Sequence, residues 1–217
     1  DNMNISGESF DYGPWRWLPQ WDAGFTAAYF DHSGLYAFGR QPEALYWNCG
    51  QLAVALRLLA EAPPLIAALE RFGDLYQAAL ARRLAWRMGL APILGGGNGT
   101  QDTAFVLAVE RALRESGASP DAFFFRHRGG RALDDAAPLA EALAGRAPAD
   151  GALEHPLWQE DEPPSLVIDT VEQTWAAIDR DDDWAPFHAL VARIRRLGDA
   201  LGEPPVPNGH GVSGNRP

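Results

Sequence analysis

This chain of 217 residues contains no lysine; all 18 of its basic side chains are arginine. The absence excludes Schiff-base chemistry, a P-loop lysine and a phosphate-clamping lysine from these residues. Cysteine is almost as scarce. Cys49 stands alone, so no internal disulfide can form and no oxidising compartment is implied. Within WNCGQLAVALRLLA it reads as a small buried hydrophobe. Long apolar runs are missing too: none approaches the roughly 20 residues that cross a bilayer, and the N-terminus carries no charged-then-apolar leader. No membrane partner is expected, and the expected location is cytoplasmic. Clustered basic surface is also lacking, and with a formal charge of -11 no nucleic-acid partner is expected.

What is present belongs to a globular protein, with 47% hydrophobic and 22% charged residues. Residues 1–13, DNMNISGESFDYG, read as a β-hairpin turning at Ser6-Gly7. Residues 14–39 read as a long ordered loop packed by Trp15, Trp17, Trp21, Phe25, Tyr29 and Phe38, since aromatics in that number are expected to be buried. Helical period begins at Gln41, with Pro42 near the start and Leu45, Cys49, Leu52, Leu56 and Leu59 spaced by three and four; this helix is expected to end near Ala62, before Pro63-Pro64. Further helices follow in PLIAALERFGDLYQAALARRLAWRMGL, broken near Gly73 and closed by Gly89. Another helix runs from the Thr100 and Asp102 capping candidates to Gly117, and SPDAFFFRH is a short one. Residues 128–163 form an Ala, Pro, Gly and acid-rich connection with at most one short helix, around 137–144. Helical period returns over 164–201, and 202–217 reads as a disordered tail. The expected fold is mainly α with one hairpin at its front edge.

Most motifs have a plain explanation. GGGNG at 95–99 lacks the strand and lysine of a phosphate loop. DRDDD at 179–183 and QEDE at 159–162 lack alternating calcium-ligand spacing. The histidines His32, His127, His155, His188 and His210 are scattered, which excludes a zinc set, and no Gly-x-Ser-x-Gly elbow is present. DNMNISGESFDYG is different. In kinase-like phosphate chemistry an Asp near the nucleophile, an Asn just after it and an Asp-x-Gly at a hairpin's end have separate roles: the first orients or deprotonates, the others hold Mg²⁺. A hairpin would bring Asn2 and Asp11 together as oxygen ligands for a hard cation. An ordinary turn hairpin with surface acids remains the alternative from spacing alone.

The stretch DNMNISGESFDYGPWRWL, followed by GLYAFGRQPEALYWNCGQLAVAL, closely resembles the selenoprotein O (SelO, YdiU) family of kinase-like protein adenylyltransferases. Weaker similarity continues to about residue 195. The resemblance implies a protein-kinase-like C-lobe over 1–127, a C-terminal helical extension, and an N-lobe that lies outside this chain and would be its partner. It implies transfer of AMP from ATP to Ser, Thr or Tyr hydroxyls of protein substrates. By this resemblance Asp1 is the catalytic proton acceptor, Asn2 and Asp11 ligate Mg²⁺, and Asp11 also lies against the nucleotide phosphates; UTP with Mn²⁺ is the alternative nucleotide and metal. A non-catalytic helical scaffold that retains relic motifs is the competing reading. The sequence departs from the family pattern at Leu35, where an arginine is usual, at Ala27, where a cysteine is usual, and in a tail without cysteine or selenocysteine. Redox control through that tail is therefore not expected. Family members carry about as much chain again before the DN motif, including the ATP-binding lysine, so little activity is expected of this chain alone.

Overall fold

The computed structural model describes residues 16–91, 99–131, 137–144 and 146–205. Eight α-helices form among them: α1 (Gln41–Leu56), α2 (Ala62–Glu70), α3 (Phe72–Arg87), α4 (Gly99–Ser116), α5 (Pro120–Arg126), α6 (Ala137–Ala142), α7 (Ile168–Asp181) and α8 (Ala185–Leu201). No strand forms among the described residues, and a single antiparallel bridge joins Leu90 to Pro148. The mainly helical expectation holds. The hairpin expected at 1–13 lies outside the described residues, as do the GGGNG loop up to residue 98 and the tail beyond Pro205.

The core forms where α4 lies between α3 and α6. Phe105, Val106, Val109, Ala112 and Leu113 recur at helical spacing and bury one stripe of α4, while Leu107, off that stripe, is exposed. Ala81, Ala85 and Met88 meet them from α3 and the residue after it, and Leu139 and Leu143 from α6 and its end. Ser119 caps α5 by accepting the Ala122 N–H at 3.2 Å, with Pro120 in the first turn, and this orientation puts Phe123 into the same core. A smaller cluster of Phe125, Leu157 and Trp158 receives Leu197 and Leu201 of α8.

The end of α3 shows how local sequence sets the junction. Gly89 takes φ +62°, its N–H reaches the Trp86 carbonyl, and the Leu90 N–H reaches that of Ala85, a Schellman closure. Arg128 completes it. This buried guanidinium donates to the carbonyls of Trp86 and Arg87, both at 3.2 Å, and to Ala152 at 3.0 Å, while its plane lies 4.2 Å from the Trp158 ring centre. A cation at a helix C-terminus satisfies carbonyls that have no partner within the helix. Burial, then the neighbouring Arg87 and Arg131, push the Arg128 pKa down to about 10, so it stays charged at neutral pH.

Several expectations are corrected. The helix beginning at Gln41 ends at Leu56, and Pro63-Pro64 lie in the first turn of α2 instead of terminating α1; proline is tolerated there because those N–H groups have no helical partner anyway. The break between α2 and α3 falls at Arg71, two residues before Gly73. Thr100 and Asp102 lie inside the first turn of α4. Leu45, Leu52 and Leu59 are exposed and Cys49 is half-buried, so the periodic face of α1 is not a core face within this chain. In the aromatic loop Trp17 and Tyr29 are exposed, and Trp21 packs edge-on against Phe38 at 5.3 Å. Trp15 lies outside the described residues. Between 128 and 163, two 3-10 turns at Arg128–Gly130 and Pro156–Gln159 accompany α6, and the second buries Leu157 and Trp158.

Candidate functional site

Asp1, Asn2 and Asp11 all lie outside the described residues, so no geometry is assigned to them. What the structure does place is the segment that follows them and carries GLYAFGRQP and WNC. Asp31 organises its turn. One carboxylate oxygen accepts the Leu35 N–H at 3.0 Å and the Ser33 hydroxyl at 3.1 Å, and the other accepts the Tyr36 N–H at 2.7 Å. The Tyr36 bond above all, joined by those from Leu35 and Ser33, holds this carboxyl below its ordinary pKa although desolvation opposes them. A carboxylate so occupied is a structural acceptor and a poor proton shuttle.

Past this turn the chain runs back alongside itself. Phe38 N–H donates to the Phe25 carbonyl and Gly39 N–H to that of Ala23, both at 2.8 Å. Glycine is required at 39 by this close approach, since a Cβ there would stand 2.8 Å from the Ala23 Cβ and 3.0 Å from its carbonyl oxygen. A 3-10 turn at Phe38–Arg40 then feeds directly into α1. Arg40 is engaged by Glu43 through two contacts, Nε to Oε2 at 3.0 Å and Nη2 to Oε1 at 3.1 Å. Asn48 of the WNC stretch donates to the Ala44 carbonyl one turn back. The described motif residues thus build a hydrogen-bonded approach to α1.

Two features escaped the sequence. The first is a cavity of about 550 Å³ bounded by α3, the 146–152 segment and the end of α8; the arginines Arg82, Arg128 and Arg146 and the acids Asp102, Asp150, Asp199 and Glu203 border it among mostly small apolar side chains. Arg146 there lies 3.8 Å from the Phe105 ring centre. These residues come from separate segments with no common spacing. The second is the chain of bonds Arg87 to Asp121 at 3.0 Å and Ser165 to Asp121 at 2.7 Å, which ties α3, α5 and the segment before α7. Among the described residues no group of three or more His, Cys, Asp or Glu side chains could hold a metal ion. No helix among them is long and apolar enough to cross a membrane.

Comparison with known proteins identifies the family. A family model described as Protein adenylyltransferase SelO matches residues 1–131, a span that contains Asp1, Asn2 and Asp11 as well as the 16–48 approach. The protein nucleotidyltransferase YdiU of Gloeobacter violaceus is 33% identical over 224 residues, covering 90% of this chain and 44% of that protein. That of a Synechococcus species is 33% identical over 232 residues, covering 94% of this chain and 46% of the relative. The Xanthomonas campestris protein is 45% identical over a shorter stretch of 93 residues, 42% of this chain and 18% of its own. The chain therefore spans less than half the length of these curated relatives. With the matched span running unbroken from the DN motif through α5, the chain belongs to the SelO family.

Proposed function

We propose that this chain supplies the acid-and-amide part of a nucleotidyltransferase site that moves AMP from ATP to Ser, Thr or Tyr hydroxyls of proteins. The observation that carries the reading is the family match over residues 1–131, which includes every donor the sequence offers for this chemistry. In the reaction a protein hydroxyl oxygen forms a bond to the α-phosphorus, the bond from that phosphorus to the β-bridging oxygen breaks, and pyrophosphate leaves. Asp1 accepts the hydroxyl proton. Asn2 and Asp11, an amide and a carboxylate oxygen, are a donor set suited to a hard divalent cation such as Mg²⁺. When bound, that ion neutralises charge building on the phosphate oxygens. A kinase-like C-lobe, with the remaining lobe supplied by further chain, is the fold this chemistry fits.

Positioning and electrostatic clamping provide most of the acceleration in phosphate transfer, so the chain by itself is expected to be weak or inactive. The broader name of the relatives, protein nucleotidyltransferase, leaves room for UTP with Mn²⁺. The test is transfer of label from ATP radiolabelled at the α-phosphate to protein, with this chain joined to the complementary part of the Gloeobacter relative, beside an Asp11→Ala control. Label lost in the control supports the reading. Label retained there, or carried only from UTP, overturns the adenylyl assignment. A joined protein that is folded and gives no label with either nucleotide favours a helical scaffold.

A further inference from the structure

We infer that the apolar surface of α1 and the turn after it is the seat of the rest of the longer polypeptide found in the relatives. From Ala44 to Leu56 the sequence ALYWNCGQLAVAL has no charged residue in 13 positions. A helix apolar on all sides is one that other structure surrounds. Yet within this chain α1 buries no residue, and Trp47, Leu52, Val54 and Leu58 are 54%, 42%, 66% and 92% exposed. Val54 and Leu52 are two positions apart, hence about 160° apart around the axis, so the exposed surface is not one stripe.

That distribution selects the occupant. A symmetric contact with a second copy of this chain would cover one side of α1 and leave the opposite side wet. Thirteen residues at about 1.5 Å each reach roughly 20 Å, short of a bilayer's hydrocarbon core. The relatives, by contrast, contain more than half their length beyond what this chain matches, enough for a surrounding lobe. This inference rests on the family assignment, and it does not depend on which nucleotide is transferred.

The test uses Val54→Glu and Leu58→Glu in two settings: the chain itself, and a chimera in which this chain replaces the matched part of the Gloeobacter relative. Both side chains are exposed in the chain, so the double variant is expected to leave its unfolding midpoint unchanged there. In the chimera it is expected to lower the midpoint, and backbone amides of 44–58 are expected to exchange about a hundredfold more slowly than in the chain alone. Leu107→Glu, at an exposed site on α4, is the control that changes neither. If the double variant is tolerated equally in both settings, or if α1 exchanges alike in both, the inference is overturned. It is overturned as well if the chain alone forms a dimer that the double variant dissolves while the chimera stays indifferent. Should the chimera fail to fold, the same substitutions at the aligned positions of the intact relative give the same two outcomes. The readout is stability and exchange, so it can fail while Asp11-dependent labelling succeeds, and the reverse.

Discussion

Helices α1 and α4 are nearly equal in length, and both carry apolar residues at helical spacing, but only α4 is buried. On α4 the apolar residues share one stripe and the opposite side carries Glu110, Arg111 and Arg114, so one neighbour on each flank, α3 and α6, suffices to cover it. On α1 the apolar residues run all round, and the elements packed against it most extensively among the described residues are α2 and the 3-10 turn before it, with the start of α3 adding the Tyr46–Phe72 ring contact. Amphipathicity predicts burial within the chain at hand. Uniform apolarity predicts burial against something else.

The largest expected effect lies at the centre of the α4 stripe. Phe105 is 1% exposed and stacks under Arg146, so Phe105→Ala leaves a cavity and frees a guanidinium; a loss of about 3–5 kcal/mol in urea unfolding is expected. A loss no larger than that of a comparable truncation on α1 would break the contrast. Next comes Arg128→Met, which keeps the stem and withdraws the donors from the Trp86, Arg87 and Ala152 carbonyls. Leaving buried acceptors without a partner predicts a loss of about 2 kcal/mol, again read from urea unfolding. It would show that the core side of the molecule is closed by polar as well as apolar contacts.

How far the sequence foretold this contrast depends on the kind of signal. Glycine stops were legible: Gly89 and Gly117 both take positive φ just past the helices they end. So was the Ser-Pro-Asp start of α5, because a capping hydroxyl and a first-turn proline act locally. Pro63-Pro64 misled, since proline marks a boundary without saying which side of it is helical. Trp158 was missed because it sits alone among prolines and acids, and its burial under Arg128 depends on a partner 30 residues earlier. Of the candidate site the motif suggests the donor set Asp1, Asn2 and Asp11, which lies outside the described residues, whereas the 16–48 approach depends on backbone contacts such as Gly39 to Ala23 that no periodicity announces.

A smaller effect compares how the two helices begin. The N-terminus of α5 is capped by Ser119, and that of α1 has no side-chain cap. Ser119→Ala is expected to cost about 1 kcal/mol, while Arg40→Ala at the start of α1, which breaks a solvent-screened pair with Glu43, should cost clearly less. Equal losses would mean that α1 is held by its own N-terminus more firmly than its exposure suggests.

The smallest expected effect is the most discriminating. Val54→Ala removes two methyl groups, which in a closed core would cost several times the thermal energy. Here the side chain is 66% exposed, little surface leaves water when the chain folds, and alanine is the better helix former. The two terms nearly cancel, so a change within about 0.5 kcal/mol of zero is expected in urea unfolding at low protein concentration. A loss that grows with protein concentration would instead reveal copies covering α1 for one another, and the contrast between α1 and α4 would then belong to the monomer alone.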